Sequence, residues 1–197
     1  MGRGWALALL ALATSLAACP GGEPGPEVLG QVPGFSLVDQ RGRPFEGESL
    51  RGRLWVADFV FTRCAGTCPM LSARMARLQQ TLAGEPRFDE VRLVSFSVDP
   101  EHDRPPVLAE YAARHGADPG RWLFLTGERA RIWELSTAGF KLPVGEAPGD
   151  PDEPLFHSQS FVLVDRSGRI RGYYDALEDE GFEALKRDLR RLAAGGS

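Results

Sequence analysis

The segment Leu54-Trp-Val-Ala-Asp-Phe-Val60 is an almost unbroken apolar run, and a cysteine stands four residues beyond it. An apolar run without alternation is expected of a strand buried on both faces, so it needs a covering layer on each side. Directly after it, Pro69 is followed by Leu71, Met75, Leu78 and Leu82, a spacing that places four apolar side chains on one stripe of a helix. A doubly buried strand leading into an amphipathic helix excludes an all-β sandwich and a helical bundle, and predicts an α/β layer arrangement.

The remaining elements follow the same logic. Val91 to Val98 reads as a second buried strand, and Val107, Leu108, Tyr111 and Ala112 repeat at helical spacing after Pro105-Pro106. Ile132 with Leu135 suggests a further short helix. Ser160–Val164, the turn Asp165-Arg-Ser-Gly168 and Arg169–Tyr174 read as a hairpin, and Phe182, Leu185, Leu189 and Leu192 form the apolar stripe of a closing helix. Near the start, Phe35–Val38 and Pro44–Phe45 flank the turn-like Asp39-Gln-Arg-Gly42, which predicts an N-terminal hairpin. Strand, helix, strand, helix, hairpin, helix is a thioredoxin-like order: a central mixed sheet flanked by helices. Pro143 to Pro154, with four prolines and two glycines among acids, is expected to be an inserted surface loop.

At 197 residues, 43% hydrophobic and 25% charged, the chain has the composition of one folded domain and no internal repeat. A net charge of −4 without a clustered basic face argues against nucleic acid as a partner. The N-terminus carries Arg3, an apolar stretch from Trp5 to Leu16, and small residues up to Ala18, the three parts of a secretory signal. The stretch is short for a permanent membrane span. Leu16-Ala-Ala-Cys19 resembles the bacterial lipobox, in which the cysteine is acylated and becomes the new N-terminus. The expected organisation is a signal over 1–18, a Pro/Gly-rich tether over 19–28 and a domain over 29–194. Such a domain is displayed in the cell envelope, lipid-anchored to the membrane through Cys19 and facing the periplasm or the exterior.

Three cysteines are too few for a disulfide-built scaffold. Cys64-Ala-Gly-Thr-Cys68-Pro69 lies where the buried strand ends and the helix begins. If the helix starts by Cys64 or soon after, a spacing of four puts both sulfurs near one face, within reach of one disulfide or one metal ion. A helix N-terminus also favours thiolate, so the pair should be reactive. A structural disulfide is the plainer alternative, although so short a ring gains little. Of the three histidines, His102 and His115 read as ordinary surface or hydrogen-bonded side chains. His157 stands just before a strand that, in an α/β sheet, faces the first strand-to-helix turn.

Phe61-Thr-Arg-Cys64-Ala-Gly-Thr-Cys68-Pro69, Ser95-Phe-Ser-Val-Asp-Pro-Glu-His-Asp-Arg-Pro105, Trp122-Leu-Phe-Leu-Thr-Gly127 and His157-Ser-Gln-Ser-Phe-Val-Leu-Val-Asp165 closely resemble the Sco/SenC family in order and spacing. The resemblance covers roughly residues 30–193. It implies a thioredoxin-like fold, copper held by Cys64, Cys68 and His157 as Cu(I) and/or Cu(II), and a role in assembling the binuclear copper centre of cytochrome c oxidase subunit II. That role is filled by delivering copper, by reducing the cysteines of that subunit, or both. Two thiolates and an imidazole are a soft set suited to copper, whereas structural zinc normally takes four protein ligands. A Cys64–Cys68 disulfide would remove two of the three ligands. Many relatives place proline directly after the first cysteine; this chain has Ala65-Gly66.

The rival reading is a thiol-disulfide oxidoreductase in which copper is incidental. Asp58, six residues before Cys64 in an apolar strand, resembles the buried acid of thioredoxin-type reductases that handles the proton of the deeper thiol. Its plainer reading is a strand-edge aspartate, solvated or hydrogen-bonded. Cysteines spaced by three, with Gln159 where a thioredoxin has its proline, favour the metal reading. Asp99 and Asp103 are read as turn residues, with Asp99 a candidate to approach the cysteine loop.

Overall fold

The computed structural model describes residues 25–85, 89, 91–148 and 154–195. The signal, Cys19, the first part of the tether and residues 149–153 lie outside the described residues. The chain opens with β1 (Gly30–Gln31), β2 (Ser36–Asp39) and β3 (Pro44–Glu46). It continues through β4 (Trp55–Val60), α1 (Cys68–Ala83), β5 (Arg92–Ser97), α2 (Pro105–Arg114) and β6 (Trp122–Thr126). Next, α3 (Arg129–Glu134) runs into a wide π-type turn over Leu135–Gly139. The rest comprises β7 (Val144–Glu146), β8 (Leu155–His157), β9 (Ser160–Val164), β10 (Arg169–Asp175) and α4 (Asp179–Ala193).

Among the described residues, eight strands form one mixed sheet in the order β1–β10–β9–β4–β5–β6–β2–β3. β4 lies inside it, parallel to β5 and antiparallel to β9, and all six of its residues are buried. This is the thioredoxin-like arrangement that the order of elements predicts. Alternation along β4 sorts its side chains between two cores. Trp55, Ala57 and Phe59 meet Phe96, Ile132, Leu135 and Phe140 on one face. Val56 meets Leu71, Met75, Leu163 and Phe182 from the helices and sheet of the other. The expected hairpins form as β2–β3 and β9–β10. β6, which the spacing alone does not mark as a strand, pairs parallel to β5 and carries the buried Trp122, Phe124 and Leu125.

Where it is described, the proline-rich insertion contributes a strand and not only a surface loop. Its two ends pair as the separate antiparallel ribbon β7–β8, with Val144 opposite His157 and Gly145 opposite Phe156. The half-exposed Phe156 ring occupies the space of a side chain at residue 145, 2.6 Å from where a Cβ would stand, so any larger residue must turn the ring aside. The ribbon thus hands His157 to the start of β9, beside the C-terminal end of β4.

Candidate metal centre

The loop Phe61–Thr67 leaves β4 at the C-terminal end of the strand. The helix begins only at Cys68, after Thr67 and with Pro69 in its first turn, so Cys64 lies in the loop and not on the helix. The spacing of four therefore works through a turn, not along a helical face. Both cysteines are thiols and both are buried, Cys68 completely.

Cys68 Sγ lies 3.0 Å from His157 Nε2. On the other side of the ring, His157 Nδ1 is 2.9 Å from the carbonyl oxygen of Ser158. A carbonyl only accepts, so Nδ1 carries the proton and, in the neutral ring, the Nε2 lone pair points at the sulfur. Phe61 meets the imidazole edge-on, with centroids 5.7 Å apart, which fixes the plane of the ring. Its contact with the Cys68 side chain, together with His157 and the backbone N–H groups of Cys68 and Gly66, outweighs burial and lowers the Cys64 thiol to about 4. Cys68 moves the opposite way, pushed up by its bond to Cys64, by burial and by the negative charge of Cys64 and Asp58.

Asp58 is 1% exposed, on the face of β4 that looks toward α1. Neither carboxylate oxygen has a hydrogen-bond partner. Ser95 lies directly across on β5, where its hydroxyl accepts the Trp122 indole N–H at 2.9 Å. Burial pushes Asp58 up to about 7, against smaller opposing effects of the Ser95 hydroxyl and of His157. The strand-edge reading is excluded: β4 is an interior strand and the carboxyl is dry.

Asp99 and Asp103 turn the chain after β5 and also strap the cysteine loop. The Asp99 carbonyl accepts the N–H groups of His102 and Asp103, as a turn requires. Its side chain, 1% exposed, takes Arg63 Nε at 2.6 Å, next to Cys64. Asp103 accepts the Thr62 N–H at 3.0 Å, the Thr62 hydroxyl at 2.6 Å and the Ser97 hydroxyl at 2.6 Å. Sequence reading placed Asp99 as a candidate beside the cysteine loop, but missed Arg63 as its partner and the bonds of Asp103. The signal available was Thr62-Arg63 before Cys64 facing two acids after the neighbouring parallel strand. His102 is exposed, and His115 packs against Tyr111 at the end of α2 with the rings tilted and their centroids 4.5 Å apart.

The arrangement presents two sulfurs and one imidazole nitrogen at the end of a central strand. Among the described residues no three such side chains stand already gathered around a vacant point, although Cys68 Sγ and His157 Nε2 lie 3.0 Å apart. A thiophilic ion that displaces the Cys68 thiol proton finds a thiolate, a second sulfur and a nitrogen lone pair of fixed orientation, so the donor set fits copper. No described helix is long and apolar enough to cross a membrane.

The SCO1/SenC family model matches residues 27–194. Among solved structures, a SCO1/SenC family lipoprotein from Bacillus anthracis is 34% identical, with a TM-score of 0.76 over 83% of this chain and 95% of that one. BsSco, described as a member of the Sco family of cytochrome c oxidase assembly proteins with a disulfide switch, is 34% identical, with a TM-score of 0.77 over 87% and 98%. Bradyrhizobium japonicum ScoI, solved with copper bound, is 26% identical, with a TM-score of 0.66 over 80% and 98%.

Proposed function

From the premise that the chain belongs to the SCO1/SenC family, we propose that it binds copper through Cys64, Cys68 and His157 and delivers it during maturation of the binuclear copper centre of cytochrome c oxidase subunit II. The observation that carries this reading is the His157 Nε2 lone pair held 3.0 Å from Cys68 Sγ by the Ser158 carbonyl on the far side of the ring. Copper is cargo here. Cys64, already inclined to thiolate, receives the ion first, and Cys68 and His157 complete its coordination as the Cys68 thiol proton leaves to solvent. A client with more thiolates takes it by stepwise ligand exchange. The chain acts from the membrane surface: the lipobox-like Leu16-Ala-Ala-Cys19 supplies an acyl anchor and the short tether keeps the domain near its client. The Bacillus anthracis relative is itself described as a lipoprotein.

A second reading rests on Asp58. The Cys64 thiolate attacks a client disulfide, forming a mixed disulfide and expelling one client thiolate. Asp58 accepts the Cys68 proton, and Cys68 then attacks the Cys64 sulfur. The second client thiolate leaves, the Cys64–Cys68 disulfide forms, and two electrons have passed to the client. Asp58, raised to about 7 and near enough for its charge to act on Cys68, suits this proton transfer near neutral pH once the two groups move into hydrogen-bond reach.

Titration of the reduced chain with Cu(I) against a competing chelator separates the two. Stoichiometric binding lost in Cys64→Ser, Cys68→Ser and His157→Ala is expected; binding unchanged in all three sinks the copper site. Reduction of an oxidised subunit II peptide that slows in Asp58→Asn, with copper affinity unchanged, supports the redox reading. Intact mass of the membrane fraction is expected to show diacylglycerol on Cys19.

A further inference from the structure

We propose that Arg129 is a positioning residue that holds the His157-bearing ribbon against the cysteine loop, an inference that rests on the copper reading. The candidate ligands come from two separate pieces of chain, the loop after β4 and the ribbon β7–β8. A two-stranded ribbon outside the main sheet has little stability of its own. His157 meets the first piece through sulfur contacts with Cys68 and Cys64, which an entering metal must replace, and through the Phe61 ring edge. Arg129 supplies an outer link that survives metal entry.

The geometry is a fork with arms toward each piece. Arg129, the first residue of α3, donates through Nε and Nη2 to Glu101 Oε2 at 2.8 and 2.6 Å. Its Nη2 also lies 3.7 Å from Asp99 Oδ1, and Asp99 holds Arg63 beside Cys64. Its Nη1 lies 3.6 Å from Glu146 Oε1 in β7, which pairs with Leu155 of β8. The guanidinium rests 5.5 Å over the Trp133 ring, whose N–H donates to the Val98 carbonyl at 3.0 Å. Three carboxylates thus converge on one cation. Without it, Asp99 and Glu101 repel Glu146 and push the ribbon away from the loop. A lysine restores the charge but not the fork.

The test compares the full wild-type chain with Arg129→Gln, Arg129→Lys, Glu146→Gln and the Arg129→Gln/Glu146→Gln double variant. Arg131→Gln, on the same helix and paired only with Glu134 among the described residues, is the control. The readouts are hydrogen exchange of the residue 155–157 amides without metal, and the rate at which bound Cu(I) is lost to a chelator. Arg129→Gln is expected to speed both by about 3- to 10-fold, the scale of one partly exposed ion pair. Arg129→Lys should recover part of the loss, Arg131→Gln should match wild type, and Glu146→Gln should add little in the Arg129→Gln background. Wild-type rates in Arg129→Gln, or strictly additive effects in the double variant, overturn the proposal. If Arg129→Gln fails to fold, the exposed Glu146→Gln variant alone must speed ribbon exchange or the proposal fails. Absence of copper binding by the wild type sinks the copper reading instead, and hydrogen exchange alone then decides whether Arg129 straps the ribbon.

Discussion

Three buried residues, Cys64, Cys68 and Asp58, divide protons unequally because each has a different environment. Cys64 receives hydrogen bonds and is held near 4, whereas Cys68 is pushed up. Alkylation by iodoacetamide should therefore label Cys64 first, with a rate nearly flat from pH 6 to 8. A rate that climbs through pH 8–9, as for an ordinary thiol, would contradict that assignment. Asp58 carries the opposite consequence for stability. Its native pKa of about 7 exceeds an unfolded value near 3.8, so between these limits the native state binds more protons than the unfolded one. The Asp58 contribution is fully present below about pH 4 and is lost as pH rises through 7. Asp58→Asn should remove this slope, gaining roughly 4 kcal/mol over wild type between pH 4 and 8 in urea titrations.

Short elements with few internal hydrogen bonds position the reactive groups, and side chains from the next loop hold them. Asp103 is the clearest case, because it is fully buried and bonds Thr62 twice and Ser97 once. Asp103→Ala leaves the Thr62 N–H and two hydroxyls unsatisfied. It should cost about 2–4 kcal/mol by urea unfolding and raise the reactivity of Cys64, whose loop loses its strap. In the ribbon, the half-exposed Phe156 ring stands where a side chain at Gly145 would go and must turn aside for one. Gly145→Val should disturb the pairing of β7 with β8, and copper retention should fall in the chelator assay while the urea midpoint stays near wild type. A proline-rich insertion conveys none of this by composition, because its order comes from pairing between its two ends.

Across the whole molecule the candidate site joins residue 64 to residue 157, and the N-terminal segment is stitched to the far edge of the same sheet. The Arg171 guanidinium, 4% exposed, pairs with Asp165 at 2.9 Å and also donates to the Pro26 carbonyl. Removing the cation leaves Asp165 buried beside Arg169 alone, so Arg171→Met should lower stability by about 3–5 kcal/mol and free the segment before β1 to proteolysis. Copper should do the reverse. An ion bound by both pieces of chain favours the native state by mass action, so Cu(I) should raise the thermal midpoint of the reduced chain. Oxidation to the Cys64–Cys68 disulfide, or His157→Ala, should largely abolish that increase.

The apolar run at Leu54–Val60, the helical stripe from Leu71 to Leu82 and the paired hairpin turns made the α/β class legible, because burial imposes periodicity on sequence directly. The cysteine spacing and the position of His157 marked the candidate ligands for the same kind of reason: reactive residue types gather where a buried strand ends. Periodicity carried no trace of β6 as a strand, of the late start of α1 at Cys68 or of the ribbon that presents His157. Nor did it show whether Asp58 was wet or dry. Those features depend on which segments become neighbours: Ser95 across from Asp58, Asp103 over Thr62, Glu146 beside Arg129. A sequence records each partner separately, and only the packed sheet sets the distance and the dielectric between them.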